Sequence, residues 1–281
     1  MPNLFFTQSS KYISVTYPID KIDFYGRSKY QQILIAHSES LGEFLALDNK
    51  INSSEADYFI YHEALVHSSM VALDNPERVL VIGGGEGTTV EELLKYENIR
   101  IDWVDIDKTV VEKCRRFLPY SYKGNDKRVN LKIMDGFKFI EETKNRYDLI
   151  LADLTEPNPK NPLSNRLYSK EFAEIIYDRL TDQGLYVTLC WEEIKGKWYY
   201  TLSPSYLKEV FKFVRPIHFY MPSFLSDFSL VISSKKVDPS KVSRKEISEK
   251  IKPFRDSLFF YDEETHKLLF TFPKFQRRYL L

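Results

Sequence analysis

Residues 79–94 read VLVIGGGEGTTVEELL: the apolar run Val79-Leu80-Val81-Ile82, then Gly83-Gly84-Gly85-Glu86-Gly87, then Thr88 through Leu94. An unbroken apolar run that gives way to glycines and then to a helical spacing of apolar residues reads as a buried strand, a tight turn and a helix. Glycine at such a turn lets the backbone bend sharply and approach a ligand closely, as nucleotide-binding α/β folds require.

Toward the carboxyl end, strand-like and helix-like runs alternate. RVLVI (78–82), IRIDWVDI (99–106), VNLKIM (129–134), YDLILAD (147–153) and LYVTLC (185–190) are the strands. VEELLKY, TVVEKCRRFL, FKFIEET and a run near Lys170 to Leu180 are the helices between them. Continuous apolar strands separated by helices predict a parallel sheet covered on both faces. A helix near Tyr206 to Phe213 and late strands around IHFYM (217–221) and FSLVIS (228–233) predict an antiparallel end to that sheet. Toward the amino end, YISVTY (12–17), YQQILIA (30–36) and EFLALD (43–48) are short β-rich runs broken by Gly26, Gly42 and Asp48-Asn49. They predict a small antiparallel sheet of hairpins. EADYFIYHEALVHSSMVAL (55–73) then reads as a connecting helix. The expected fold class is therefore α/β, a doubly wound Rossmann-like sheet over residues 56–281, preceded by an antiparallel β domain over residues 1–55. In the polar stretch 235–254, Ser243 and Glu246 have the spacing of a capping box on a short surface helix.

Composition narrows the function. The 281 residues are 43% hydrophobic, enough for a substantial core. Lys plus Arg (40) equal Asp plus Glu (40), so no global field attracts nucleic acid or a membrane surface. The two cysteines, Cys114 and Cys190, lack metal-ligand spacing and suit a reducing compartment. There is no signal-peptide pattern, and no apolar run reaches the roughly 18 residues of a membrane span, so a cytoplasmic location is expected.

The chemistry-bearing positions lie where the strands end. About 22 positions beyond Gly83 the next strand ends in Val104-Asp105-Ile106-Asp107, where a carboxylate can accept hydrogen bonds from both ribose hydroxyls. Together with the glycine loop, that points to an adenosine ligand. A nicotinamide fingerprint needs glycine where this chain has Thr88, and an ordinary methyltransferase commonly has an acid where this chain has Val81. The acid is instead in the loop, at Glu86. S-adenosylmethionine presents a carboxylate and an ammonium near such a loop, whereas its decarboxylated form presents only the ammonium, which a carboxylate suits better. Asp135 and Asp153 stand at two further strand ends, with Glu156 just beyond.

YHEALVH (61–67), GGGEG (83–87), VDID (104–107), MDGFKFI (134–140) and DLTEP (153–157) together resemble the spermidine synthases, whose usual forms are YHEM, GGGDG, an acid followed by Ile-Asp, DDG, and DSTDP or DSSDP. The resemblance runs from about Tyr30 to FFYDEETHKLLFTFP (259–273). It implies an amino-terminal β domain, a methyltransferase-like Rossmann domain and assembly as a homodimer or homotetramer. It further implies an aminopropyl transfer from decarboxylated S-adenosylmethionine, a co-substrate rather than a resident cofactor, to a polyamine, with no metal. By the same resemblance Gln31, Gly83, Gly85, Glu86, Asp105, Asp135 and Gly136 bind the donor, with Asp105 on the ribose, Asp135-Gly136 at the adenine amino edge and Glu86 on the aminopropyl ammonium. Tyr61, His62, Glu86, Asp153 and Glu156 border the acceptor, and Asp153 is the proton acceptor, helped by Tyr61.

The chain departs from the family pattern at Glu86 and Glu156, each an aspartate in the usual form, at Leu154, and at Phe224, which replaces a tyrosine. Thr188-Leu189-Cys190-Trp191 stands where a glutamine-containing stretch is usual. GGGEG, Asp-Leu-x-acid-Pro, RLYSKEF (166–172) and Pro222-Ser223-Phe224 look more like thermospermine synthases. Putrescine, agmatine, spermidine and longer amines remain candidate acceptors. The alternatives are methyl transfer from S-adenosylmethionine on the same fold, and a silent member of the family that binds polyamines.

Overall fold

The computed structural model describes residues 4–9, 14–155, 165–189 and 204–279. Tyr12 and Ile13 of the first β-rich run, Glu156, Pro157, Cys190 and Trp191 fall outside these ranges.

Strands β7 (Arg78–Gly83), β8 (Arg100–Asp105), β9 (Val129–Ile133), β10 (Tyr147–Asp153) and β11 (Leu180–Leu189) form the parallel part of a sheet in the order β11-β10-β7-β8-β9. β12 (Phe213–Met221) and β13 (Ser226–Ser234) add the antiparallel end, giving β12-β13-β11-β10-β7-β8-β9. The two-residue period of each strand divides its side chains between two cores. Val79, Val81, Leu149 and Leu151 join one core, and Leu80, Ile82, Ile150 and Ala152 join the other. Because both faces are covered, these strands read as continuous apolar runs rather than alternating ones. Each such Val, Leu or Ile side chain contributes roughly 1.5–3 kcal/mol by leaving water.

Helices α1 (Tyr58–Met70) and α2 (Thr88–Leu94) lie over the first face. α4 (Gly136–Glu142) and α5 (Lys170–Arg179) lie over the second. α1 buries every residue from His62 to Met70, so it has no polar stripe, and its polar side chains must find partners inside the protein.

The amino-terminal strands are β1 (Leu4–Ser9) and β2 (Ser14–Ile19), a two-stranded ribbon, and β3 (Lys21–Arg27), β4 (Gln32–Ser38), β5 (Gly42–Leu47) and β6 (Lys50–Ser54), an antiparallel four-stranded sheet. Asp48 and Asn49 both take positive φ (45° and 63°) between the paired Leu47 and Lys50, the two-residue turn that matches strand twist. One face of this sheet, through Leu34, Ala36, Phe44 and Ala46, packs on Phe6 and Ile19 of the ribbon. The other, through Ile33, Ile35, Leu45 and Leu47, packs on Val110, Cys114 and Leu118 along and just past α3 (Lys108–Phe117). That second contact carries the end of β6 to the glycine loop.

The carboxyl-terminal helices α7 (Arg244–Ile251) and α8 (Glu263–Leu269) follow the short α6 (Ser205–Val210) and the last two strands. α7 has the expected capping box: Ser243 and Glu246 each accept from the other's backbone N–H. Beneath this end of the molecule the buried Glu63 carboxylate accepts the N–H groups of Phe259, Phe260 and Tyr261 at 2.9, 2.9 and 2.7 Å.

Candidate active site

At the carboxyl edge of the parallel strands, β7 ends in Gly83 directly opposite Asp153 of β10. Gly84 N–H donates to the Asp153 carbonyl at 2.7 Å. A Cβ on Gly83 would stand 2.1 Å from that carbonyl oxygen, and one on Gly84 2.6 Å from Asp153 Oδ2. Both glycines have positive φ (85° and 63°). The glycines thus bring the loop backbone against the end of β10, which a side chain would prevent.

Tyr61, Asp153, Thr89, His62 and Glu86 form a continuous hydrogen-bonded chain. The Tyr61 hydroxyl donates to Asp153 Oδ1 at 2.9 Å, and the Thr89 hydroxyl donates to Asp153 Oδ2 at 2.6 Å. His62 Nδ1 lies 3.0 Å from Thr89 Oγ1, and His62 Nε2 pairs with Glu86 Oε1. The second oxygen of Glu86 accepts from the Ser53 hydroxyl, which is 2.9 Å from the Tyr120 hydroxyl. Tyr120 stacks on Tyr58 with ring centroids 4.5 Å apart. Aromatic rings wall the outer side: Phe219 and Phe228 meet Tyr61 edge-on, and Phe224 packs against Phe228.

The electrostatics follow from this crowding. Burial raises the Asp153 carboxyl; the His62 charge opposes that and Glu86 reinforces it, leaving the group above its ordinary range. Burial, then the Asp153 charge, drives the Tyr61 phenol well above 10, so it stays protonated and acts as a donor. Asp105, buried at the end of β8, is pushed up to about 7 by burial; the Asp107 N–H, donating to its Oδ1 at 2.7 Å, opposes the shift, and the charges of Asp107 and Asp153 add to it.

Asp105 approaches the loop at Gly85, where an added Cβ would be 3.0 Å from its Oδ2. Gln31 reaches this corner through Asp107, to whose Oδ2 its side-chain amide donates at 3.1 Å, beside Ser28 Oγ at 2.5 Å. Asp135 stands at the end of the neighbouring β9 and caps α4, its Oδ1 accepting from Phe137 N–H at 2.9 Å. Its Oδ2 pairs with Arg166, whose guanidinium lies 4.7 Å over the Phe137 ring. Gly136 packs against Ile82, where a Cβ would come within 2.4 Å of Cγ2. Glu156 lies outside the described residues.

The fold therefore brings Tyr61, His62, Glu86, Asp105 and Asp153 around the loop, with Gln31 one residue removed behind Asp107. Sequence reasoning did not single out Ser53, Thr89, Tyr120 or Arg166. A hydroxyl in the first turn after the glycine loop was the one local signal for Thr89. Arg166 opens the RLYSKEF stretch but nothing there pointed to Asp135, and Ser53 and Tyr120 have no local signal, because their partners are distant in sequence.

Residues 58–246 match the family model described as the spermine/spermidine synthase domain, and residues 4–55 match the spermidine synthase tetramerisation domain. The polyamine aminopropyltransferase of Sulfolobus acidocaldarius is 38% identical over 255 residues, covering 89% of this chain and 84% of its own length. That of Methanocaldococcus jannaschii is 36% identical over 254 residues, covering 89% and 85%. A spermidine synthase solved in complex with the transition-state analogue AdoDATO matches with a TM-score of 0.91 at 28% identity, over 100% of this chain and 96% of that one. The spermidine synthase of Thermotoga maritima matches with a TM-score of 0.89 at 28% identity, over 100% and 95%.

Proposed function

The chain belongs to the spermine/spermidine synthase family and is a polyamine aminopropyltransferase, and from that premise we propose how its residues divide the reaction. The donor is decarboxylated S-adenosylmethionine, bound as a co-substrate. Asp105 accepts the ribose hydroxyls, Glu86 receives the aminopropyl ammonium, and Asp135 with Gly136 borders the adenine. The single observation that carries this reading is the convergence of Glu86, Asp105 and Asp153 on one glycine loop, since two cationic substrates need several carboxylates in one cavity.

The acceptor amine has an ordinary pKa of about 10.4 and arrives without a free lone pair. Asp153, made more basic by burial and aimed by the Tyr61 and Thr89 hydroxyls, takes its proton. The freed lone pair attacks the carbon beside the sulfonium. The carbon–sulfur electron pair goes to sulfur, leaving neutral 5'-methylthioadenosine, and the new bond leaves a secondary ammonium in the product. Phe219, Phe228 and Phe224 offer an apolar wall for the methylene chain of a diamine or longer polyamine. Phe224 offers no hydroxyl there, in keeping with an acceptor outside the putrescine pattern and with the thermospermine-like motifs.

The match of residues 4–55 to a tetramerisation domain supports assembly as a homo-oligomer, a dimer or tetramer. Among the described residues no helix is long and apolar enough to cross a membrane, in keeping with a cytoplasmic site of action. Incubation with decarboxylated S-adenosylmethionine and a panel of di-, tri- and tetra-amines, with products identified by mass, tests the assignment. An added aminopropyl mass together with 5'-methylthioadenosine supports it. Methyl addition from S-adenosylmethionine, or no product from any amine, overturns it.

A further inference from the structure

The hydrogen bonds around His62 leave one proton to account for. Thr89 has a single hydroxyl hydrogen, and Asp153 Oδ2 receives it at 2.6 Å. Thr89 Oγ1 must then accept from His62, so Nδ1 carries a proton. On the other side of the ring, Nε2 meets Glu86 Oε1, where two lone pairs cannot face each other. A second proton therefore lies in that contact. Reversing the chain, with Asp153 protonated and Thr89 donating to Nδ1, moves the extra proton to Asp153 without removing it. Every arrangement leaves the set Glu86–His62–Thr89–Asp153 one proton richer than a neutral imidazole between two carboxylates.

We propose that His62 is a placeholder cation in the donor's ammonium subsite: it holds Glu86 while the enzyme is empty, and arrival of the donor ammonium at Glu86 expels the His62 proton to solvent. This rests on the reading that Glu86 receives the ammonium. Two positive groups cannot share one buried carboxylate without strong repulsion. Once neutral, His62 keeps Nδ1–H on Thr89 and turns an Nε2 lone pair toward the incoming ammonium, so the subsite gains an acceptor as it loses a charge. The groups facing His62 are Glu86 from the loop, Thr89 and Glu92 from α2, Asp153 from β10 and the edge of its neighbour Tyr61 at 5.0 Å. Burial favours the neutral ring, but Glu86 first and then Asp153 and Glu92 outweigh it, so His62 titrates above its ordinary value. The consequence is that donor uptake is coupled to proton release.

Calorimetry of the intact protein at one near-neutral pH, in buffers of different ionisation enthalpy, counts the protons released. Binding of decarboxylated S-adenosylmethionine should release about one proton more than binding of 5'-methylthioadenosine, which has no ammonium. His62→Gln, which can still bridge Thr89 and Glu86 but carries no exchangeable charge, should abolish that excess while still binding 5'-methylthioadenosine. Equal release by the two ligands in the unmodified protein overturns the proposal, as does an undiminished excess in His62→Gln. Nitrogen-15 spectra of the histidine rings give an independent reading that needs no variant: a doubly protonated buried ring in the free protein should become singly protonated on donor binding, and an unchanged ring overturns the proposal. Glu86→Gln tests the reading beneath it. Unchanged donor affinity in that variant means that the ammonium binds elsewhere, an outcome distinct from donor binding that depends on Glu86 without proton release.

Discussion

Tyr61 and Asp153, 92 positions apart in the chain, meet in a 2.9 Å hydrogen bond in which the phenol donates to the carboxylate. Burial and the Asp153 charge keep the Tyr61 phenol protonated, so in the proposed reaction it orients the base rather than competing with it.

Asp153→Asn is nearly isosteric and should leave the fold and donor binding intact while lowering turnover by roughly a hundredfold to ten-thousandfold, the usual worth of a general base. Tyr61→Phe removes one orienting bond and should cost about tenfold. Single-turnover release of 5'-methylthioadenosine measures both, and an unchanged rate in Asp153→Asn excludes the assigned base.

The proposed contact of Asp105 with two ribose hydroxyls requires an ionised carboxylate, and burial pushes this group up to about 7. Affinity for 5'-methylthioadenosine should therefore rise as pH climbs through about 7 and level off above it. Asp105→Asn should bind roughly tenfold or more weakly, with a flattened profile. The effect on stability has the opposite sense: the folded value exceeds the ordinary 3.8, so this group's contribution is fully present below that pH and is lost as pH rises through about 7. Thermal unfolding of the wild type and of Asp105→Asn across this window separates the two.

Gly83→Ala combines a left-handed backbone with a Cβ 2.1 Å from the Asp153 carbonyl oxygen. The backbone conformation alone costs about 1–2 kcal/mol, and displacement of the loop from β10 adds to it. A fall in melting temperature of several degrees, together with weakened donor binding, is expected from scanning calorimetry and ligand titration.

Glu63→Ala leaves the N–H groups of residues 259–261, of which that of Tyr261 is buried, without their acceptor and should destabilise the fold by about 1–3 kcal/mol. The matching measurement is denaturant unfolding. Because the Glu63 carboxylate bonds to the 259–261 backbone and not to Tyr61, Thr89 or Asp153, turnover well below the transition should fall far less than in Asp153→Asn.

The parallel strands and the glycine loop could be read directly from the chain, because burial on both faces forces runs such as Val79–Ile82 and Leu149–Ala152 to be apolar throughout. β1, β3 and β6 could not: Leu4–Ser9, Lys21–Arg27 and Lys50–Ser54 owe their strand form to pairing with neighbours more than to pattern. The site shows the same division. Glu86, Asp105, Asp135 and Asp153 stand out because strand ends in a doubly wound sheet converge, whereas Arg166 beside Asp135 and Ser53 beside Glu86 do not.

Local chemistry along the chain thus determined which carboxylates line the site and which fold presents them, since hydrophobic period and glycine placement are properties of neighbouring residues. Packing alone decided what each carboxylate touches. The bonds of Ser53 to Glu86, Thr89 to Asp153 and Glu63 to the 259–261 backbone span 33, 64 and 196–198 positions. Such partners are chosen by the folded sheet and its helices, because a buried polar group must take whichever complementary atom the tertiary structure brings within reach.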